Sequence, residues 1–315
     1  MGTYIIGIDA GGTKVAYGLF DEAGALLARG QYPTDREADG AGFCDTLIAA
    51  LRAFVRENGI GFDEIAHIGI CMPSYLYFEK GIVVQTTAIP GIRDFPLRDY
   101  LAARLSVPLI LDNDSNAAAL AEYRRGAGRG SRHMVYMAVS TGVGSGLILD
   151  GKLFRGSYGW AGECGHMLLQ PDEGVLCGCR NRGCAMSLAN GGYIGQRIRA
   201  RLDAGAVSSL SDCGEIDGPA LLRACREGDE TALAELSSMA HWLAVCAFNV
   251  YQMLNINLFV FGGGLVTFGS LLFDQIRAEF DRYDHLHYPV DFRFAELDRD
   301  VGIIGAAELG KESSR

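Results

Sequence analysis

TYIIGIDAGGTKVAYGLFDEAGALLARGQYP, residues 3–33, decides the architecture. Apolar runs alternate with Gly-rich turns at 11–12 and 22–24, a pattern that predicts a meander of strands. Working outward, residues 43–57, FCDTLIAALRAFVRE, place apolar side chains three and four apart and predict a helix. A strand is expected at 65–71, a helix at 97–105 and a short buried strand at 107–111 (VPLIL). The chain then enters DNDSN at 112–116, followed by the helical AAALAEYRRG. Strand 134–139 feeds the turn STGVGSG, and a second strand follows in LILDGKLF. Beyond the cysteine-rich segment the pattern is mainly helical through 254. The buried strand in LFVFGGGL then ends in glycines at 262–264, and VGIIGAAELGK turns into a last helix. Strands that open onto Gly-rich turns, in two halves, indicate an α/β protein with ligands at the strand ends. The order of the motifs sets the expected division. A small α/β domain covers 1–116, with a C-terminal helix at 299–315 packing back on it. A large α/β domain covers 117–298.

The chain has 315 residues and is 49% hydrophobic, enough for two ordinary domains. Its net charge of −10 argues against a nucleic-acid partner, which would favour a basic face. No apolar stretch is expected to span a bilayer. Residues 1–12, MGTYIIGIDAGG, lack the basic flank and cleavage site of a signal peptide. Nine cysteines, an odd number, fit reduced thiols in the cytoplasm better than a disulfide framework. Cys44, Cys71, Cys213, Cys225 and Cys246 read as small buried apolar residues.

Three Gly-rich turns follow predicted strands: Asp9-Ala-Gly11-Gly12-Thr13-Lys14, Ser140-Thr141-Gly142-Val-Gly144-Ser-Gly146, and Gly262-Gly263-Gly264. Glycine lets backbone N–H groups approach a phosphate closely, and Thr13 and Thr141 add hydroxyl donors. None matches the P-loop pattern, and none is a G-x-G-x-x-G opening a helix with a following acidic residue. Asp9 either satisfies turn N–H groups or holds Mg²⁺ beside phosphate oxygens. Asp112, Asn113 and Asp114 sit between a buried strand and a helix, where a carboxylate can act as base toward a hydroxyl. Capping competes with that role: Asp114 or Ser115 could be the N-cap of a helix from Asn116.

Gly159 to Cys184 reads GWAGECGHMLLQPDEGVLCGCRNRGC. Glu163 and His166, beside glycines, could hydrogen-bond sugar hydroxyls. His166 with Cys177, Cys179 and Cys184 makes a complete Cys₃His zinc set, and a closed four-ligand site is structural. The alternatives are buried thiols or a Cys177–Cys184 disulfide.

Taken together, GIDAGGTK (7–14), DNDSNAAALAE (112–122), STGVGSG (140–146), AGECGH (161–166), CGCRNRGC (177–184), FGGGL (261–265) and GIIGAAEL (302–309) resemble the ROK family over nearly the whole chain. That family groups bacterial sugar kinases with related repressors. The resemblance implies a two-domain actin-like ATPase (ribonuclease-H-like) fold with a cleft between the domains. It also implies an ATP-dependent kinase acting on a hexose or hexose derivative, at the C6 hydroxyl. Asp114 would be the catalytic base, and Asn113, Glu163 and His166 would contact the sugar. His166, Cys177, Cys179 and Cys184 would bind a structural Zn²⁺. Asp9, Gly11, Gly12, Thr13 and Lys14, with Thr141, Gly142 and Gly144, would cradle ATP and Mg²⁺. Gly262, Gly263 and Gly264 would lie near the adenosine. The expected partner is a small-molecule sugar, with no nucleic acid and no membrane, and the expected assembly is a homodimer.

Departures from the family pattern bear on the sugar. Arg180 replaces a glycine, Ser74 the glycine of a Pro-Gly turn, Ala88 an asparagine and Ser145 a glycine. Met186, counted here with the substrate contacts, stands where a sugar-binding glutamate is usual. A sugar-binding or regulatory relative without catalysis is the alternative that Met186 sustains. A repressor would need a helix-turn-helix before Gly7, and a filament- or chaperone-type ATPase would not carry AGECGH and the cysteine cluster.

Overall fold

The computed structural model of the protein describes residues 3–297 and 299–311; residues 312–315 of the expected helix 299–315 lie outside them. The chain forms two compact units, the first from 1–132, 146–162 and 296–315, the second from 133–145 and 163–295.

In the first unit, β1 (Tyr4–Ala10), β2 (Lys14–Asp21) and β3 (Leu26–Pro33) form the expected meander. Helix α1 (Gly40–Glu57) follows, its start set by Asp39, whose carboxylate accepts from Gly42 N at 2.8 Å. Phe43, Leu47, Leu51 and Phe54 bury one face of it. Then come β4 (Ile65–Met72), β5 (Ser74–Tyr77), β6 (Ile82–Thr86), β7 (Arg93–Phe95), α2 (Leu97–Leu105), β8 (Leu109–Asn113) and α3 (Asp114–Arg125). The sequence reading assigned nothing to 72–96. That segment forms a small antiparallel sheet, β5-β6-β7, whose strands of three to five residues are too short to show periodicity.

The chain continues through β9 (Met134–Val139), β10 (Val143–Leu149), β11 (Lys152–Phe154), α4 (Ala185–Ala189), α5 (Ile194–Asp203), α6 (Gly218–Arg226) and α7 (Glu230–Leu254). It ends with β12 (Leu258–Gly262), α8 (Ser270–Tyr283), β13 (Asp291–Phe294) and α9 (Val301–Leu309). One five-stranded sheet has the order β3-β2-β1-β4-β8 and the other β11-β10-β9-β12-β13. Each therefore runs third, second, first, fourth, fifth. In each, parallel pairs flank an antiparallel hairpin: β1–β4 and β4–β8 in one, β9–β12 and β12–β13 in the other. The Gly-rich turns and DNDSN all follow the carboxyl ends of parallel strands, where open α/β sheets take ligands.

Helix α9 lies directly on β1 and β4. A Cβ added at Gly69 would stand 1.7 Å from Ala306 O, and one at Gly7 would stand 2.0 Å from Ile303 O. Across α9, a Cβ at Gly305 would meet Ala117 O of α3 at 2.1 Å. Buried Glu308 of α9 is clasped by Arg124 (2.8 Å) and Arg125 of α3. The expected boundary at 116/117 would cut α3 after its third residue. The helix instead stays whole in the first unit because its backbone and both arginines are committed to α9.

Against the expectation that no stretch could span a bilayer, α7 is 25 residues long and apolar enough by length and composition. One face of it, including Leu236, Met239, Leu243 and Val250, is instead buried in the second unit. Buried Glu235, held by Arg197 (2.5 Å) and Arg201 (3.1 Å), interrupts them.

Gly69→Ala should destabilise the protein by roughly 1–3 kcal/mol, the usual cost of overpacking. Denaturant unfolding should show a lower midpoint with an unchanged slope.

Candidate active site and cysteine centre

Strand register arranges the acidic residues of the first unit. Asp9 is aligned with Cys71 on β4, and Cys71 with Asp112 on β8. Two carboxylates thus stand in one row, two strands apart, about 10 Å across the sheet. Between them Cys71 is fully buried, and burial and the flanking carboxylates push its thiol well above the usual range. It is small and buried, as expected, but its thiol donates to Gly302 O at 3.6 Å.

The three residues of Asp112-Asn113-Asp114 do different work. Asp112 has 0% exposure. Its Oδ1 accepts from Asn113 N and Asn116 Nδ2, both at 2.8 Å, and its Oδ2 accepts from Arg155 Nε at 2.7 Å. Arg155 also stacks its guanidinium 4.1 Å from the Phe78 ring centroid. Asn113 is the N-cap of α3: its Oδ1 accepts from Ser115 N at 2.8 Å, and its Nδ2 donates to Ser74 O at 3.1 Å. The expectation that Asp114 or Ser115 caps a helix from Asn116 is corrected, because the helix starts two residues earlier. Asp114 Oδ1 shares the Ser115 N–H at 2.9 Å, and the Ser115 hydroxyl and Asp114's own N–H also hydrogen-bond the carboxylate. Burial, then the charge of Asp9, raises the Asp114 carboxyl to about 6. Asp9 itself is raised by burial, against the opposing charge of Lys14.

The first Gly-rich turn is closed by Gly11 N donating to Lys14 O (3.0 Å) and by Thr34 Oγ1 donating to Gly11 O (2.7 Å). Thr13 and Lys14 are exposed beyond it. Gly302, at the start of α9, is needed because a Cβ there would stand 2.3 Å from Asp9 Oδ2.

In the second unit, Ser140 N donates to Gly142 O at 2.8 Å, which tightens the turn after β9. A turn inside the stretch that the sequence reads as mainly helical holds it. Asn190 Nδ2 donates to Thr141 O (2.6 Å), Gly191 N to Ser140 O (2.7 Å) and Gly192 N to Thr141 O (3.2 Å). Arg197 on α5 donates to Asn190 O and Ser187 O and pairs with Glu235 of α7. The signal available was the Asn-Gly-Gly run at 190–192, a turn composition whose partner sequence alone does not name. Gly263, at φ +87°, brings the third turn against Val139 O, where a Cβ would stand 2.6 Å away. Gly264 lies beside Ser140, and Gly262 beside the Tyr136 hydroxyl.

Met186 sits on α4 beneath the second turn. Its Sδ accepts from Val143 N at 3.1 Å, and its side chain abuts Gly142 and Gly165. Glu163 precedes the short helical turn Cys164–His166, where His166 N donates to Glu163 O at 3.0 Å.

The donor atoms of His166, Cys177, Cys179 and Cys184 all lie within 4.8 Å of one another. Cys177 Sγ is 3.7 Å from His166 Nδ1, and Cys179 Sγ is 3.5 Å from Cys184 Sγ. Tetrahedral Zn–S bonds of about 2.3 Å would set ligand separations near 3.8 Å, so the donor set and spacing both fit. Burial lowers the His166 pKa, favouring the neutral imidazole that a metal takes. Burial and the other thiols push Cys184 up to about 12, a cost that a cation would reverse. All nine cysteines are free, so the Cys177–Cys184 disulfide is not formed. Cys213 is only half-buried and donates to Glu215 O at 3.0 Å, against the expectation of a buried apolar residue. Arg180 has φ +71°, the left-handed conformation that explains why glycine is usual there.

Duplicated 3-2-1-4-5 sheets with acidic and Gly-rich strand ends define the α/β actin-like ATPase fold, two-domain in this superfamily. The sequence pattern of the ROK family matches residues 5–313, and the chain belongs to that family. It is 32% identical to a glucokinase of Streptomyces coelicolor over 98% of this chain and 97% of the relative. It is 31% identical to an N-acetylmannosamine kinase of Yersinia pestis, over 98% of both chains. Among solved structures it is similar to a ROK family glucokinase from Streptomyces griseus in complex with glucose and AMPPNP. That match has 30% identity and a TM-score of 0.78 and covers 97% of this chain and 98% of the other.

Arg155→Met strips a fully buried carboxylate of its cation and should cost about 3–5 kcal/mol. Adding Asp112→Asn should recover part of the loss, a coupling that a double-mutant cycle in urea measures.

Proposed function

We propose that the protein is an ATP-dependent sugar kinase that transfers the γ-phosphoryl group to the C6 hydroxyl of a hexose or hexose derivative. Membership of a family whose similar relatives are glucokinases and N-acetylmannosamine kinases supports a phosphotransferase with a sugar hydroxyl as acceptor. The observation that carries the reading is Asp114: a carboxyl on the first residue of α3, just past β8, with a pKa near the operating range of a general base. In the reaction it accepts the hydroxyl proton while the sugar oxygen attacks the γ-phosphorus and the bond to the leaving ADP oxygen breaks. Asn113, held by Ser115 N and Ser74 O, keeps one amide hydrogen and one lone pair for a sugar hydroxyl. Glu163 and His166 bind further hydroxyls.

Gly11 N and Val143 N are spent inside their own turns, so the N–H groups of Gly12 and Thr13 and of Thr141, Gly142 and Gly144 bind phosphate oxygens, and Lys14 adds positive charge. Gly262–Gly264, packed against Tyr136 and Val139, would present their backbone beside the adenosine. Asp9 would hold Mg²⁺, which supplies charge neutralisation at the phosphates and offsets the repulsion that Asp9 exerts on Asp114. His166, Cys177, Cys179 and Cys184 would hold a structural Zn²⁺, which fixes the loop carrying Glu163. Met186 spends its acceptor on Val143 N, so it sets the phosphate turn and offers a sugar only methyl and thioether surface. A substrate that needs a carboxylate partner there would be used poorly.

Asp114→Asn should lower kcat by at least about 10²-fold. In the wild type, log kcat/KM should climb as pH rises through about 6, the deprotonation of Asp114. The stability effect has the opposite sense. The folded carboxyl keeps its proton up to about 6 while the unfolded one loses it near 3.8, so folding weakens as pH rises through that window. Above pH 6, Asp114→Asn should therefore resist denaturant better than wild type. A variant that turns over near the wild-type rate removes Asp114 from the mechanism.

Protein purified without chelator should contain zinc at one ion per chain. Cys179→Ser should lose it and raise the sugar KM ahead of any fall in kcat. Metal analysis that finds no zinc in fully active protein overturns the assignment.

A further inference from the structure

Four aromatic rings of the first unit stand outside its core. Tyr75 and Tyr77 share the outer face of β5, with Leu76 between them buried on the other. Both rings meet Trp160, at 5.6 and 5.8 Å between centroids, and Tyr158 meets Tyr77 and Trp160 at 5.9 and 5.6 Å. None joins the core cluster that includes Leu76 and packs Phe78. Tyr158 is 58% exposed and Trp160 37%. Their exposure is not looseness. Trp160 Nε1 donates to Leu76 O at 2.8 Å, and Gly159, at φ +97°, turns the chain where a Cβ would crowd Leu76 O and Phe78. The same loop begins at Arg155, which is bound to Asp112. Trp160 is thus anchored, and the three tyrosines pack on it or on one another, at the expense of exposed apolar area that folding alone does not require.

The platform is continuous with Asn113 and Asp114. Asn113 Nδ2 donates to Ser74 O, and Tyr75 is the next residue. Its rim is polar: exposed Gln85 is aligned with Tyr75 across the β5–β6 pair, and the Lys80 ammonium lies 5.1 Å from the Tyr77 centroid. Ring faces carry partial negative charge and attract the weakly positive C–H face of a pyranose, while an amide and an ammonium at the edge suit its hydroxyls. A protein partner would need about 800 Å² on this side, far more than four clustered rings offer.

We propose that Tyr75, Tyr77, Tyr158 and Trp160 form a subsite for a second sugar ring, so that the substrate class extends to disaccharides phosphorylated on the ring held at Asn113 and Asp114. This rests on the sugar-kinase reading and adds the acceptor's size to it. The platform supplies affinity for the second ring and touches no reacting atom.

The test compares glucose, maltose, cellobiose and phenyl β-glucoside as acceptors, by ADP release with ATP and Mg²⁺. At least one disaccharide should exceed glucose in kcat/KM by about ten-fold, the scale of aromatic stacking. Tyr158→Ala and Trp160→Ala should abolish that advantage through KM and leave glucose kinetics unchanged, while Trp160→Phe retains part of it. In parallel, Trp242→Phe leaves Trp160 as the sole indole of a chain with two tryptophans. Its fluorescence should then titrate with the preferred disaccharide and not with glucose, without ATP. If no sugar is phosphorylated but the titration holds, the kinase reading fails and the subsite stands. Glucose matching or exceeding both disaccharides, or equal losses on all acceptors in both alanine variants, overturns the subsite. Phenyl β-glucoside outperforming both disaccharides overturns it in favour of an aryl group. Self-association abolished by Tyr158→Ala overturns it in favour of a second copy of the chain.

Discussion

A helix can rest its backbone on a sheet only where both surfaces give up their side chains. In this protein that condition is met by α9, which meets β1 and β4 at Gly7 and Gly69 and α3 at Gly305. The approach leaves no space for a methyl group at these glycines, and around them Ile303 and Ala307 pack on Ile5 and Phe20, and Ala306 on Cys71 and Ala117. Glu308 closes it. Burial alone would raise its carboxyl, but Arg124, Arg125 and Lys311 hold it below the usual range. That part of the stability is present above the ordinary carboxylate pKa and is lost as pH falls. The acidic site inherits its geometry from this contact, because Asp9 ends β1 against Gly302 of α9 and Asp114 begins the helix that α9 fixes.

The division of labour at 112–114 follows from three depths in one turn. Asp112 is too deep to meet water or substrate, so it is an anchor for Arg155, Asn116 and its own turn. Asn113 caps and positions. Asp114 keeps a carboxyl whose burial and acidic neighbour make it a stronger base than an exposed aspartate. A residue of the same type two positions away thus has an unrelated task, set by access rather than chemistry.

The second unit solves a comparable problem with different materials. Its Gly-rich turn after β9 is tied by hydrogen bonds to 190–192 and from there through Arg197 to Glu235 in α7. The otherwise awkward charge in an apolar helix is the far end of that line. Met186 completes the support from below, with a sulfur acceptor for Val143 N. The cysteine knuckle sits immediately before α4, so a metal held there would stiffen the same region.

Much of this was legible along the chain. The meander at 3–33, helix α1, the strands before each Gly-rich turn and the Cys₃His set all depend on local periodicity and short spacing, which a linear sequence records directly. The motif order carried the family and, with it, the roles expected of Asp114, Glu163 and the glycines. What stayed hidden depends on partners far apart in sequence. The capping role of Asn113 turns on where α3 starts. The burial of Asp112 required Arg155, forty-three positions on. The place of α3 in the first unit required α9, nearly two hundred residues away. The support of the second turn by Asn190, and the assembly of Tyr75, Tyr77, Tyr158 and Trp160 on one face, were equally invisible. The sequence by itself determined the α/β alternation, the turns and the inventory of reactive groups, because hydrophobic periodicity and glycine placement act over a few residues. Only the tertiary structure decided which carboxylate is sealed, which has its carboxyl raised by burial and an acidic neighbour, and which rings are left facing water. Those outcomes depend on distances that close only when remote segments pack.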